Sequence, residues 1–107
     1  MLLTTQDNFS KYEIVETLGL VKGNTVRARN VGKDILASFR NIVGGEIEEY
    51  TKLLAESREQ SIDRMIETAK SLGADGIVCI RFTTSSIIQA AAEMFVFGTA
   101  VKLKKKK

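Results

Sequence analysis

The side chains able to do chemistry are few, and their types narrow what that chemistry is. The 107-residue chain has one cysteine, Cys79, and no histidine. Histidine is the commonest general base near neutral pH and the commonest metal ligand. A closed tetrahedral site for a soft metal needs about four ligands, chiefly thiolate or imidazole. One chain therefore cannot build such a site around Cys79. Met65 and Met94 carry thioethers but fall in apolar patterns, where core filling is the expected role. A hard cation would need carboxylates, from Asp75 or from Glu46, Glu48 and Glu49. The three glutamates crowd the first turn of an expected helix, where negative charge complements the helix dipole. The metal-ligating candidates thus reduce to Asp75 and Cys79. Cys79 lies in the apolar run IVCI, which predicts a small buried hydrophobe. No cofactor is expected, a metal ion being the one candidate.

Nucleophilic chemistry is no better provided for. Ser57, Ser61 and Tyr50 fall on the helix face expected to be buried. There is no Gly-x-Ser-x-Gly elbow, and without histidine a serine would need lysine or a carboxylate as its base. No catalytic residue is predicted. Asp34 and Arg40 share one helix and suit ion pairs across a subunit interface, with anion or ligand binding as the other use. Gly44 and Gly45 precede a helix start, whose unpaired N–H groups can hold an anion. They lack the Gly-x-x-x-x-Gly-Lys phosphate pattern, so a tight connection between helices is the simpler role. Asp34, Arg40, Gly44, Gly45 and Tyr50 remain as ligand-site candidates at an interface or helix start.

The elements that must position these residues can be read in order. Residues 2–5 suit a short strand. Residues 12–21 and 24–29 read as two extended segments, with Lys22-Gly23-Asn24 as a bend between them. Alternation there places Ile14, Leu18 and Leu20 on one face. Asn30 is a favoured N-cap, and Ile35, Leu36, Phe39, Ile42 and Val43 form the apolar stripe of a first helix. Gly44-Gly45 ends it. A second helix, residues 46–72, gathers Tyr50, Leu53, Leu54, Ser57, Ser61, Ile62, Met65, Ala69 and Leu72 on one side. Glu49, Lys52, Glu56, Glu59, Asp63, Glu67 and Lys70 lie opposite. It is nearly 40 Å long, which predicts packing beyond its own subunit. Gly73 stops it.

Residues 77–84 read as a strand covered on both faces over its first half. Residues 94–103 form its antiparallel partner, with Gly98 as a bulge or close-contact point. Residues 85–93 fit strand, loop or helical turn equally. Phe82, Phe95 and Phe97 are expected in the core or an interface.

The apolar fraction is 44% and the charged fraction 27%, ordinary for a soluble globular protein. A single domain, residues 1–103, is expected, followed by a basic tail, 104–107. The net charge of +3 belongs to that tail: without its four lysines the basic count falls from 16 to 12 against 13 acidic residues. A solvated, frayed segment is expected there, with weak electrostatic adhesion to RNA or an anionic membrane as the alternative. The chain lacks the aromatic-plus-basic strand pattern of nucleic-acid binders, so no nucleic acid is expected as partner. No signal peptide and no apolar run of about 20 residues is visible. With a lone cysteine, this predicts a cytoplasmic protein without a membrane span.

Gly23, the Asn30/Asp34/Arg40 series, Gly44-Gly45 with Tyr50, Leu72-Gly73-Ala74-Asp75 before a strand, and Gly98-Thr99-Ala100-Val101 occur in this order and spacing. In this the chain resembles the YbjQ-like family of small bacterial proteins, labelled heavy-metal-binding. The resemblance spans about residues 12–103. It implies a dodecin-like α+β fold and a homopentameric ring, in which the N-terminal strand completes a neighbour's sheet. The whole reading is an α+β chain, its antiparallel or mixed sheet packed on two helices. It forms a non-enzymatic homo-oligomeric assembly or binding protein, with metal-ion binding as the alternative.

Overall fold

The computed structural model describes residues 1–28, 45–88 and 91–107. Its elements are β1 (Leu2–Leu3), β2 (Tyr12–Ala28), α1 (Gly45–Ser71), β3 (Gly76–Ile88) and β4 (Ala91–Lys105). The helix expected over residues 30–43 lies outside the described residues. The four strands form one mixed sheet in the order β1-β3-β4-β2, with β1 parallel to β3 and the other pairings antiparallel. A strand of 17 residues reaches about 56 Å, so β2 alone accounts for the 58 Å length of the molecule.

The helix forms as its pattern predicts. Lys52, Glu56, Glu59, Asp63, Glu67 and Lys70 are exposed, while Ser57, Ser61, Met65 and Ala69 are buried. It ends in a Schellman motif. Gly73 adopts φ +79°, its N–H donates to the Lys70 carbonyl, and the Ala74 N–H donates to the Ala69 carbonyl, both at 3.0 Å. Leu72 departs from the expected face. It lies past the last regular turn, and 45% of its surface is exposed. The helix packs across β2 and β4, over a core of Val21, Met65, Ala69, Ile77, Ile80, Val96 and Ala100.

β2 differs most from its sequence reading. No break occurs at Gly23: the strand runs unbroken and pairs with β4 from Tyr12↔Lys105 to Ala28↔Ala91. Its irregularities fall earlier, as bulges between Ile14 and Glu16 and between Thr17 and Gly19. Gly19 there takes φ +126°. Each extra residue shifts the alternation by one and exchanges the two faces. Past the bulges, Val21, Gly23 and Thr25 turn toward the helix, and Leu20 turns away with 68% of its surface exposed. The single face expected for Ile14, Leu18 and Leu20 therefore does not form.

The ambiguous stretch before β4 resolves as strand on both sides of residues 89–90, lengthening β3 and β4 together. β4 also continues through Lys105, and the Lys106 N–H donates to the Lys11 carbonyl at 3.0 Å. Of the lysines expected to fray, Lys104 and Lys105 belong to the strand. β1 pairs with β3 of its own chain.

Candidate functional site

Three places gather the polar and reactive side chains: a hydroxyl seam under the helix, the joint at Asp75, and a bulge at Cys79. The seam lies where α1 crosses β2 closely. Gly23 has no side chain to keep the helix away, so Thr25 and Ser61 meet, Oγ1 to Oγ, at 2.8 Å. The Ser61 hydroxyl donates between the Ser57 carbonyl, 2.9 Å away, and the Met94 carbonyl, 3.1 Å away. Ser57 in turn donates to the Leu53 carbonyl at 2.8 Å. Every hydroxyl is spent on a neighbouring oxygen, and among the described residues no acid or base hydrogen-bonds to the seam. It pins helix to sheet and offers no nucleophile. Ser57 and Ser61 were legible as buried polar residues. Thr25 was not, because the apparent break at Gly23 obscured which face it takes.

Asp75 is a structural joint. Its carboxylate accepts the Leu103 N–H at 2.9 Å. Its own N–H donates to the Val101 carbonyl, and its carbonyl accepts the Leu2 N–H. One residue thus ties the helix exit to both β1 and β4.

Cys79 departs from the expected buried hydrophobe. It is half-buried and occupies a bulge in β3 between Val78 and Arg81, opposite Gly98. Its φ is +56°, the left-handed region that costs a side-chain-bearing residue about 1–2 kcal/mol. Its N–H donates to the Gln6 carbonyl at 2.9 Å, and the Ile80 N–H donates to the Thr4 carbonyl at 3.2 Å. The segment after β1 thus lies along the bulge and holds it. Gly98 is the expected close-contact point: a Cβ there would sit 2.7 Å from the Ile77 Cγ2.

Asp34, Arg40 and Gly44 lie outside the described residues, as does the side chain of Tyr50, whose backbone is in α1. Gly45 is the first residue of α1. Among the described residues, no three of the Cys, Asp and Glu side chains gather to share a metal ion. The donor set does not fit a soft metal: one thiol, no imidazole, and an Asp75 carboxylate already bonded to backbone.

One surface was not foreseen. On the sheet face away from the helix, Phe95 and Phe97 stack with centroids 5.6 Å apart. Leu20, Lys22, Asn24 and Val26 of β2 share that face through their pairing with Thr99, Phe97, Phe95 and Glu93. Leu20 and Val26 are 68% and 56% exposed. The signal was present in the alternation of β4, but the partner strand could not be aligned to it until the bulges were known.

A protein of unknown function from Pediococcus pentosaceus, placed in the DUF74 family, has a similar fold, with a TM-score of 0.68 at 15% identity over 97% of this chain and 98% of that one. A UPF0145 protein from Methanococcus vannielii is 57% identical over 98% of this chain and its own full length. Another from Archaeoglobus fulgidus is 54% identical over 97% of this chain and 96% of its own. Such relatives extend the family from the expected bacteria to archaea. The matching family model, described as "Putative heavy-metal-binding", covers residues 1–104, and the chain belongs to this YbjQ-like family.

Proposed function

We propose that the protein is a non-enzymatic assembly module whose working unit is a homo-oligomer, a ring of five subunits in the reading that the resemblance implies. The observation that carries this is the sheet face away from α1, with Leu20 and Val26 exposed beside the half-buried Phe95–Phe97 pair. Exposed apolar side chains grouped on one face, here interspersed with Lys22 and Asn24, suit an interaction surface. The outer edge of β3 offers a second surface. Beyond the reach of β1, residues 81–85 are all exposed, Phe82 at 44%. They present an open strand edge, which in a soluble protein needs pairing or cover. Any ligand site would lie where subunits meet, which is where Asp34, Arg40, Gly44, Gly45 and Tyr50 are expected to contribute. Sedimentation-velocity ultracentrifugation tests the proposal: one species larger than the monomer is expected at micromolar concentration, and a monomer would overturn it.

Metal binding, the second reading, rests on the family description. A single chain does not supply the ligands, so this reading requires donors from several subunits. It predicts stoichiometric metal in untagged protein by elemental analysis. Substoichiometric metal, removed by chelator with no change in oligomeric state, counts against it.

A further inference from the structure

One pole of the molecule combines lysines and exposed aliphatic side chains, contributed by four segments. The helix exit brings Lys70 and Leu72, the start of β1 brings Met1 and Leu2, the approach to β2 brings Lys11, and the end of β4 brings Lys104 to Lys107. Hydrogen bonds hold these segments together. Leu2 N–H donates to the Asp75 carbonyl, Leu103 N–H donates to the Asp75 carboxylate, and Lys106 N–H donates to the Lys11 carbonyl. The lysines named are exposed, and Met1, Leu2 and Leu72 are exposed at 41%, 38% and 45%. Acidic residues offset only part of this charge. Glu13 stands across from Lys104, Glu16 from Lys102, and Lys102 lies beside Gly73 at the helix end. Asp75 is exposed at the same pole and Glu67 lies three residues before Lys70 on the helix, so Lys11, Lys70, Lys105, Lys106 and Lys107 outnumber the acidic groups left to balance them.

We infer that this pole docks end-on to an anionic lipid bilayer. Lysines within about a Debye length of a negatively charged surface are attracted to it, while exposed aliphatic side chains enter the headgroup boundary. The chemistry favours lipid over single-stranded nucleic acid. Nucleic-acid recognition uses aromatic faces open for stacking, but here the exposed apolar groups are aliphatic, and Phe9 and Tyr12 pack edge to face with each other at 6.4 Å. No helix of the described residues is long and apolar enough to cross a membrane, so the contact is peripheral. The ordered end of β4 matters, because Lys104 and Lys105 project to opposite sides of the strand and the Lys106 N–H is held by the Lys11 carbonyl, which spreads charge across the pole. A frayed tail would not fix them beside Leu2 and Leu72.

The test is co-sedimentation of the full chain with vesicles of phosphatidylcholine alone and of phosphatidylcholine mixed with phosphatidylglycerol. Binding is expected to the mixed vesicles only and to weaken as salt rises. Replacing Lys104, Lys105, Lys106 and Lys107 with glutamine weakens it by about fivefold per lysine. Lys11→Gln with Lys70→Gln, which leaves β4 intact, weakens it in the same proportion. Leu72→Ser weakens binding to the mixed vesicles further without changing its salt dependence. Lys52→Gln removes the same charge on an exposed face of the helix body and leaves binding unchanged. The inference is overturned if neutral and anionic vesicles bind alike, or if Lys52→Gln weakens binding as much as a lysine at the pole. Lysine-dependent binding to a single-stranded RNA oligonucleotide, with none to vesicles, also overturns it.

Discussion

Gly23 of β2 and Ser61 of α1 meet backbone to backbone. A Cβ on Gly23 would collide with the Ser61 carbonyl oxygen and lie 2.7 Å from the Met65 amide nitrogen. Both obstacles are main-chain atoms of a regular helix, which cannot rotate aside as a side chain does. Gly23→Ala must therefore push the helix off the sheet around Met65, which is fully buried. The expected loss is about 3 kcal/mol, at the upper end of overpacking costs, read as a lower denaturant midpoint. Combining it with Ser61→Ala should restore nothing, since the clash is with the Ser61 backbone. A stability near wild type for Gly23→Ala would show that the helix does not sit this close.

Thr25 and Ser61 depend on one another across the same seam. Ser61→Ala leaves the Thr25 hydroxyl, bonded at 2.8 Å and 3% exposed, without its partner. An orphaned buried hydroxyl costs about 1–3 kcal/mol. Thr25→Val is nearly isosteric and removes that hydroxyl, so the double variant should lose less than the sum of the two single variants. A double-mutant cycle is expected to show coupling of about 1 kcal/mol. Additive losses would mean that the two hydroxyls stabilise the fold independently.

These relationships show what was legible in the sequence. The second helix, its exposed acidic face and its Gly73 stop were readable because each depends on local periodicity and backbone preference. The β3–β4 pair was readable for the same reason. Gly23 was misread because a glycine between lysine and asparagine has the local form of a turn. Its actual role is set by a helix almost forty residues further on. The bulges in β2 were hidden as well, since nothing within the strand indicates where one extra residue is inserted, yet they decide that Leu20 faces outward. Cys79 could be read as apolar and strand-bound, but its left-handed backbone arises from the segment after β1 bonding to the bulge. Of the candidate site, residue types were legible and juxtaposition was not.

Cys79 supplies a test that separates backbone strain from side-chain burial. Replacing a half-buried strand residue with glycine ordinarily costs about 0.5–1 kcal/mol of backbone entropy, besides the lost contacts. At φ +56° glycine also relieves about 1–2 kcal/mol of strain. Cys79→Gly is therefore expected to fall within about 1 kcal/mol of wild type, while Cys79→Val, β-branched in the same conformation, loses clearly more. The order of the two thermal midpoints is the measurement, and Val at or above Gly would contradict the strained bulge. The same variants address metal. If the thiol is not a ligand, metal content is unchanged in both.

The open sheet face makes the assembly proposal testable by single charges. Leu20 and Val26 project from β2 on the side away from the helix, and both are more than half exposed in one chain. Neither supports the subunit's own core, so Leu20→Lys and Val26→Lys should leave the monomer folded, with unchanged far-ultraviolet circular dichroism. Covering each residue in an interface is worth about 1.5–3 kcal/mol, and burying an unpaired ammonium there would cost several more. The oligomer is therefore expected to dissociate in sedimentation velocity at concentrations where the wild type remains assembled. Glu67→Lys, on the exposed face of α1, changes charge by more and should not dissociate it. If Glu67→Lys dissociates the assembly while the β2 variants leave it intact, subunits meet through the outer helix face. Leu20, Val26 and the Phe95–Phe97 pair would then be free to meet a different partner.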